Sequence, residues 1–301
     1  MTATSPPQNK FSDMLRLMRP WQWVKNIFVF SGVIFGGMWH DPILIAKVII
    51  AALAFSYASS AIYIFNDIAD CENDKHHPKK RERPLAAGKV SVRMGYLLAS
   101  GLALSAIALS FFVSLNVVLI ILVYTAINIL YSLWLKHIVI MDVFCIAAGF
   151  MLRILAGTIG VGIPPSKWLL LCGLMITLFL GFTKRRAELI ALKDQKEEHR
   201  KVLENYSPIL LDEIIGICAT GVILSYSLYT MSPETIAIHH TENLLYTVPF
   251  VIYALFRYIF ILHHTNGAGD PSLDLFKDKH IVGAVIGWVI FTFYLLIPRF
   301  G

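Results

Sequence analysis

Three acids and an amide crowd one short stretch of this chain: Asn66, Asp67, Asp70 and Asp74, within Phe65-Asn66-Asp67-Ile68-Ala69-Asp70-Cys71-Glu72-Asn73-Asp74. On a helix, at about 100° per residue, the four fall within roughly a 100° arc. That face offers only oxygen donors, with no thiolate or imidazole among them. Such a set suits a hard cation, and Mg²⁺ holding a phosphate is the common case. The chain runs on through His77-Pro78-Lys79-Lys80-Arg81-Glu82-Arg83-Pro84. Lys79, Lys80, Arg81 and Arg83 can grip phosphate oxygens. The plain alternative is a solvated loop between membrane helices. Carboxylates at a membrane edge cost free energy unless something holds them, which favours the site.

The elements that must position these residues follow from composition. The 301 residues are 56% hydrophobic and only 15% charged, and the mean hydropathy is +0.65. That is too apolar for a soluble domain of this length and predicts an all-α polytopic membrane protein. Apolar runs mark about nine transmembrane helices, at 25–39, 43–65, 92–113, 117–135, 138–161, 168–182, 209–231, 244–262 and 281–297. The first and sixth are short. Pro and Gly punctuate several ends, among them Pro42, Pro84, Gly88 and Pro208. No cleavable signal peptide is apparent. Residues 1–12 read as a disordered N-terminal tail, and 13–301 as a single intramembrane domain.

Charge placement orients the bundle. With the N-terminus in the cytoplasm, most of the 26 Lys and Arg fall on cytoplasmic segments, chiefly 75–93 and 184–201. The opposite loops, near 40, 115, 163 and 237, are nearly free of them. The predicted mouth of the site therefore faces the cytoplasm, in a multi-pass protein of the cell (inner or plasma) membrane. The net charge of +6 is a topology signal, so no nucleic-acid partner is expected. Residues 193–204 read as a solvated helical loop.

Other polar residues have simpler readings. Cys71, Cys145, Cys172 and Cys218 show no paired spacing, so neither a disulfide nor a zinc site is expected. The His doublets at 76, 239 and 263 fall in different loops, which argues against a shared metal. Asp142 and Arg153 are intramembrane charges and candidates by default. Asp142 either joins the site or stays apart, and Arg153 either pairs with a helix carbonyl or meets another subunit. Arg257 can snorkel to the membrane face. Tyr124 and Tyr131 either line a pocket or pack.

The string Asn66-Asp67-x-x-Asp70-x-x-x-Asp74, with His77-Pro78 and Arg83-Pro84 after it, resembles the intramembrane prenyltransferase superfamily typified by 4-hydroxybenzoate polyprenyltransferase. The resemblance implies a helical bundle whose first acidic motif binds Mg²⁺ and a diphosphate at its cytoplasmic mouth. Asn66, Asp67, Asp70 and Asp74 take those roles, with Asp67 and Asp70 as the catalytic acids. The superfamily usually carries a second motif, two acids four residues apart. Here the matching place reads Lys184-Arg185-Arg186-Ala187-Glu188, so one acid is replaced by Lys184.

A narrower resemblance accommodates that departure. Arg19-Pro20-x-Gln22-Trp23-Val24-Lys25-Asn26, Leu135-Lys136-His137, Leu152-Arg153-x-x-Ala156-Gly157, Ile163-Pro164-x-Ser166-Lys167-Trp168 and Lys184-Arg185-x-Ala187-Glu188-Leu189 are similar to the mycobacterial type of decaprenyl-phosphate phosphoribosyltransferases. That group implies transfer of 5-phosphoribose from phosphoribosyl diphosphate to a polyprenyl phosphate, in cell-envelope arabinose-donor synthesis. Mg²⁺ is the implied cofactor. Lys25, Lys80, Arg83, Lys136, Lys184, Arg185 and Glu188 are the implied substrate contacts, and a homo-oligomer is compatible. The alternative within enzymes moves a polyprenyl group from its diphosphate to an aromatic acceptor such as 4-hydroxybenzoate. A second acidic pair would favour that reading. A transporter is disfavoured because no charge series crosses the bilayer. A lipid-binding protein without catalysis is disfavoured by the intact acids.

Overall fold

The structure, a computed structural model, describes residues 10–78, 80–192, 203, 205–264 and 278–296. Helices, joined by turns, are its only regular elements among these residues. Eight of the helical runs are long and apolar enough to cross a membrane. The protein is therefore an all-α, multi-pass membrane protein. Lys79 and nearly all of the 193–204 loop lie outside the described residues.

The first of the nine expected spans takes another form. Pro20–Phe30 is a 3-10 helix and Ser31–Phe35 a short α-helix, α2. Pro20 opens the segment and Gly36 closes it. The segment packs closely against the backbone near Gly157. A Cβ on Gly32 would lie 2.0 Å from the Gly157 carbonyl oxygen, so the two backbones touch where side chains would stand. A 3-10 helix rises about 2.0 Å per residue, so the run still covers a long distance for its length.

The first helix begins before residue 13. Helix α1, Lys10–Met18, takes in Lys10, Phe11 and Ser12. Asp13 and Leu17, one turn apart, are its buried pair, and Leu17 packs beside Ile64, Cys71 and Leu85. That anchor draws the preceding turn into the helix.

The sequence predicts one domain over 13–301. The described residues group into two compact units, one within Met1–Ser132 and Leu152–Pro164, the other within Leu133–Met151 and Pro165–Gly301. Each has its own apolar core. In the first, helix α3 (Pro42–Ala69) packs on α5 (Val92–Val113). Asp41 caps α3, its Oδ1 accepting from the N–H groups of Ile43 at 2.9 Å and Leu44 at 3.1 Å. The buried face of α3 carries Ala51, Ala54, Ala58 and Ser59 around Phe55. Small residues let neighbouring helices approach closely in a bilayer. The short helix α4, Cys71–His76, follows α3 after one residue. Helix α6 is Leu115–Leu133, and α7 is Met141–Ala156. In the second unit, α8 (Lys167–Leu192) packs on α9 (Pro208–Met231), around Phe179, Phe182, Leu211 and Ile215. Helices α10 (Pro233–His239), α11 (Val248–His264) and α12 (Lys279–Leu296) complete it. Arg257 does not stand alone at the membrane edge. Its Nη2 donates to Asp278 at 2.8 Å. That hydrogen bond holds the Asp278 carboxyl down at about 2.

The Gly32–Gly157 crossing gives a direct test. A Cβ on Gly157 would lie 1.6 Å from the Val29 carbonyl oxygen, and backbone cannot rotate away. Gly157→Ala should destabilise the protein by about 3 kcal/mol. A thermal melt in detergent equal to that of the wild type would contradict the crossing.

Candidate functional site

The C-terminal end of α3 carries the acids. Asp70 caps α3 at φ −90°, ψ 1°, and α4 starts at the next residue. The Asp74 N–H still donates to the Asp70 carbonyl at 2.9 Å, so the helical path continues across the break. Asp67 and Asp74 are seven residues apart, two turns, and share a face. Both are buried. Asp70 sits at the corner with its side chain exposed.

Buried carboxylates persist only when paired, and here cations come from two directions. Arg83 Nη1 donates to Asp67 Oδ1 at 3.0 Å and to Asp74 Oδ2 at 2.7 Å. Arg19 Nη2 donates to the same Asp67 Oδ1 at 2.6 Å. Lys80 Nζ lies 3.8 Å from Asp74 Oδ1. Asn66 Oδ1 accepts from the Ser132 hydroxyl at 3.1 Å. The sequence reading places Arg83 and Lys80 here but misses Arg19. Nothing in local spacing could show it, since 48 residues separate it from Asp67.

Among the described residues, no three His, Cys, Asp or Glu side chains converge as a metal cage. The structure joins Asp67 to Asp74 and leaves Asp70 outside that pair. Mg²⁺ fits such a donor set nonetheless. It is commonly held by one or two carboxylates plus substrate phosphates, and it keeps several waters.

The remaining predicted contacts scatter. Lys25 is half-buried in the Pro20–Phe30 helix, and Lys136 is half-buried in the turn Leu135–His137. Lys184 is exposed on α8. The run Lys184-Arg185-Arg186 reads as one basic cluster in the sequence, but its members part in the second unit. Arg185, 2% exposed, donates through Nε to Asp142 Oδ2 at 2.7 Å and through Nη1 to Glu188 Oε2 at 2.5 Å. Arg186 pairs with Asp212 and donates to the Leu262 carbonyl at 2.8 Å.

Asp142 thus belongs to an ion pair that spacing alone did not reveal. Tyr206 completes it, donating to Asp142 Oδ1 at 2.9 Å and accepting from the Ile140 N–H at 2.6 Å. Burial pushes the Tyr206 phenol well above its usual range, and the neighbouring Asp142 carboxylate adds to this. Ile140 has φ 69°, a rare conformation for a β-branched residue, and its N–H is fixed by that phenol.

Arg153 finds side-chain partners that the sequence reading did not name. It is buried, donating to Asn26 Oδ1 at 2.7 Å and to the Tyr124 hydroxyl at 3.1 Å. Its guanidinium lies over the Tyr124 and Phe55 rings, 4.9 and 5.5 Å from their centroids. Tyr124 is thus a packed partner of a buried cation.

Apolar membrane helices ending in a buried, arginine-bound acid pair define a class: helical membrane proteins with a charge-paired polar cluster at one helix end. The chain belongs to the UbiA prenyltransferase family, whose model matches residues 26–277. It is 36% identical over 294 residues to the decaprenyl-phosphate phosphoribosyltransferase of Corynebacterium glutamicum, covering 94% of this chain and 86% of that one. It is 32% identical over 298 residues to the protein of that name from Mycolicibacterium smegmatis, covering 95% and 93%. In fold it resembles a UbiA homolog from Archaeoglobus fulgidus bound to GPP and Mg²⁺. The TM-score is 0.68 at 17% identity, over 95% of this chain and 100% of that one.

The Asp142–Arg185 pair separates stability from chemistry. Removing one partner of a buried ion pair leaves the other uncompensated, at about 3–5 kcal/mol. Arg185→Met should therefore unfold far below the wild type. The double variant Asp142→Asn, Arg185→Met should recover most of the loss. A double variant no more stable than the single one would show that the pair is not the cause.

Proposed function

We propose that the protein transfers 5-phosphoribose from phosphoribosyl diphosphate to a polyprenyl phosphate of decaprenyl type, releasing diphosphate. One observation carries the reading. Relatives named for that transfer match nearly the whole chain, at 36% identity in one case. Lys184, at a place where aromatic prenyltransferases are expected to carry an acid, agrees with it.

The chemistry follows from the charges. The bond from ribose C1 to the diphosphate oxygen breaks, and a bond from C1 to an oxygen of the lipid phosphate forms. That oxygen is already anionic at neutral pH, so no strong general base is needed. Asp67 and Asp74, with Asn66 and with Asp70 at the corner, would hold Mg²⁺. When bound, Mg²⁺ draws charge from the diphosphate and so makes it a better leaving group. Arg19, Arg83 and Lys80 bring positive charge to the same carboxylates. They offset the charge that builds on the departing oxygens. Lys184 meets a substrate phosphate, and Lys25 and Lys136 are further candidates. The acids face the cytoplasm, where a water-soluble donor is found, and the polyprenyl tail lies in the bilayer.

The test incubates the purified protein with Mg²⁺, polyprenyl phosphate and labelled phosphoribosyl diphosphate. A parallel arm offers a prenyl diphosphate and 4-hydroxybenzoate. Labelled lipid in the first arm alone is expected, lost on chelation with EDTA and restored by Mg²⁺. Prenylation in the second arm alone would replace this reading. Asp67→Asn and Asp74→Asn should each lower turnover at least a hundredfold, and unchanged turnover in both would remove the metal assignment. Lys184→Ala should raise the donor KM roughly tenfold to a hundredfold, the worth of one charge-assisted hydrogen bond. The lipid KM should change less, and Lys184→Asp should be worse. An unchanged donor KM in Lys184→Asp would exclude Lys184 from the site.

A further inference from the structure

Arg19 holds an unusual backbone and touches the acid on which the site turns. Its φ of 52° and ψ of 58° place it in the left-handed region. Few residues other than Gly, Asn or Asp go there. Pro20 follows it, and a proline ring crowds the residue before it out of helical conformations. A chain that needed only a sharp turn would be served better by Gly, which adopts this conformation freely.

Several contacts hold the turn in place. The Ser60 hydroxyl donates to the Met18 carbonyl at 2.7 Å and accepts from Trp23 Nε1 at 3.0 Å. The clamp therefore grips the chain on both sides of Arg19. The guanidinium crosses the Tyr63 ring, 5.1 Å from its centroid, and ends on Asp67 Oδ1. Ser60, Tyr63 and Asp67 are spaced three and four residues apart, one stripe along α3. The strained turn is thus seated along the stripe that ends in the acid.

The contact is selective within the carboxylate. Arg19 and Arg83 both donate to Oδ1. No donor to Oδ2 is present among the described residues. Arg83 divides itself between Asp67 and Asp74, whereas among the described residues Arg19 binds the Asp67 carboxylate alone. We propose that Arg19 is a positioning residue that fixes the Asp67 carboxylate through Oδ1 and presents Oδ2 to the metal–diphosphate group of the donor. This rests on the transferase reading above. Partners of this kind, one step removed from a metal, set ligand orientation, and their loss typically weakens metal affinity tenfold to a hundredfold.

Arg19→Gly separates this role from a structural one, because glycine keeps the turn and removes the guanidinium. Full-length wild type, Arg19→Gly and Arg19→Lys are compared by thermal melting and by calorimetric titration with Mg²⁺ plus pyrophosphate. Arg19→Gly should still fold, because Arg83 stays on Asp67, yet bind the Mg²⁺–pyrophosphate pair at least tenfold more weakly. Arg19→Lys should recover part of the affinity, and the KM for polyprenyl phosphate should be unchanged in both. Wild-type affinity in Arg19→Gly would overturn the proposal. Should Arg19→Gly prove unstable, Arg19→Lys decides if it melts like the wild type: reduced affinity supports the proposal and full affinity overturns it. The transferase reading fails separately, if the wild type binds the pair but moves no phosphoribose to the lipid.

Discussion

The buried carboxylate of Asp67, 4% exposed and clasped by Arg19 and Arg83, is the interaction on which the candidate site depends. An unpaired carboxylate at that depth would take up a proton or draw water in. Held by two guanidiniums it is paired and fixed in direction. The cost of bringing those cations in is spread through the fold. Arg19 requires the left-handed turn before the Pro20–Phe30 helix. Arg83 requires the Lys80–Glu82 turn to fold back over α4. Leu17, Leu85 and Val90 share one apolar cluster with Ile64 of α3, so burial of these leucines and the valine brings both cationic segments to the helix end.

Charge balance limits what such a site can accept. Asp67 and Asp74 face Arg19, Arg83 and Lys80, so the carboxylates are more than neutralised before any ligand arrives. A bare divalent cation would meet guanidinium repulsion, and a bare diphosphate would meet two acids. A metal and a phosphate arriving together satisfy both sets, with the cation on the carboxylates and the phosphate oxygens on the Arg and Lys donors. This is the electrostatic reason to expect the metal and the donor to bind as a pair.

What the sequence could disclose follows the range of each interaction. Membrane helices rest on local apolar runs, and the string from Asn66 to Asp74 rests on residue types at one spacing, so both were legible. The arc put the acids on one face; what it could not show is that Asp70, at the corner between α3 and α4, is exposed while Asp67 and Asp74 are buried. The form of the first segment was hidden because the close backbone approach it must fit, between Gly32 and Gly157, lies across 125 residues of chain. The same distance problem hid Arg19 on Asp67, Arg185 on Asp142 and Asn26 on Arg153. In each case the residue types announced that a buried charge needed a partner, while only the folded chain selected which.

The arginines also divide by what surrounds them, and that division decides which can serve a ligand. Arg153 sits among an amide, a phenol and two ring faces, with 4% of it exposed, and Arg185 is locked to Asp142 at similar depth. Moving either toward a substrate would leave buried polar groups unmatched, so their natural role is to fix helices. Arg19 and Arg83 keep 23% and 30% of their side chains exposed while touching a nearly inaccessible acid. A guanidinium has five N–H donors. One bound to an acid while still meeting solvent can keep that acid and offer its outer N–H groups to phosphate oxygens. Partial exposure, more than the mere presence of arginine, is thus what lets the end of α3 present cationic donors to solvent while keeping its acids paired.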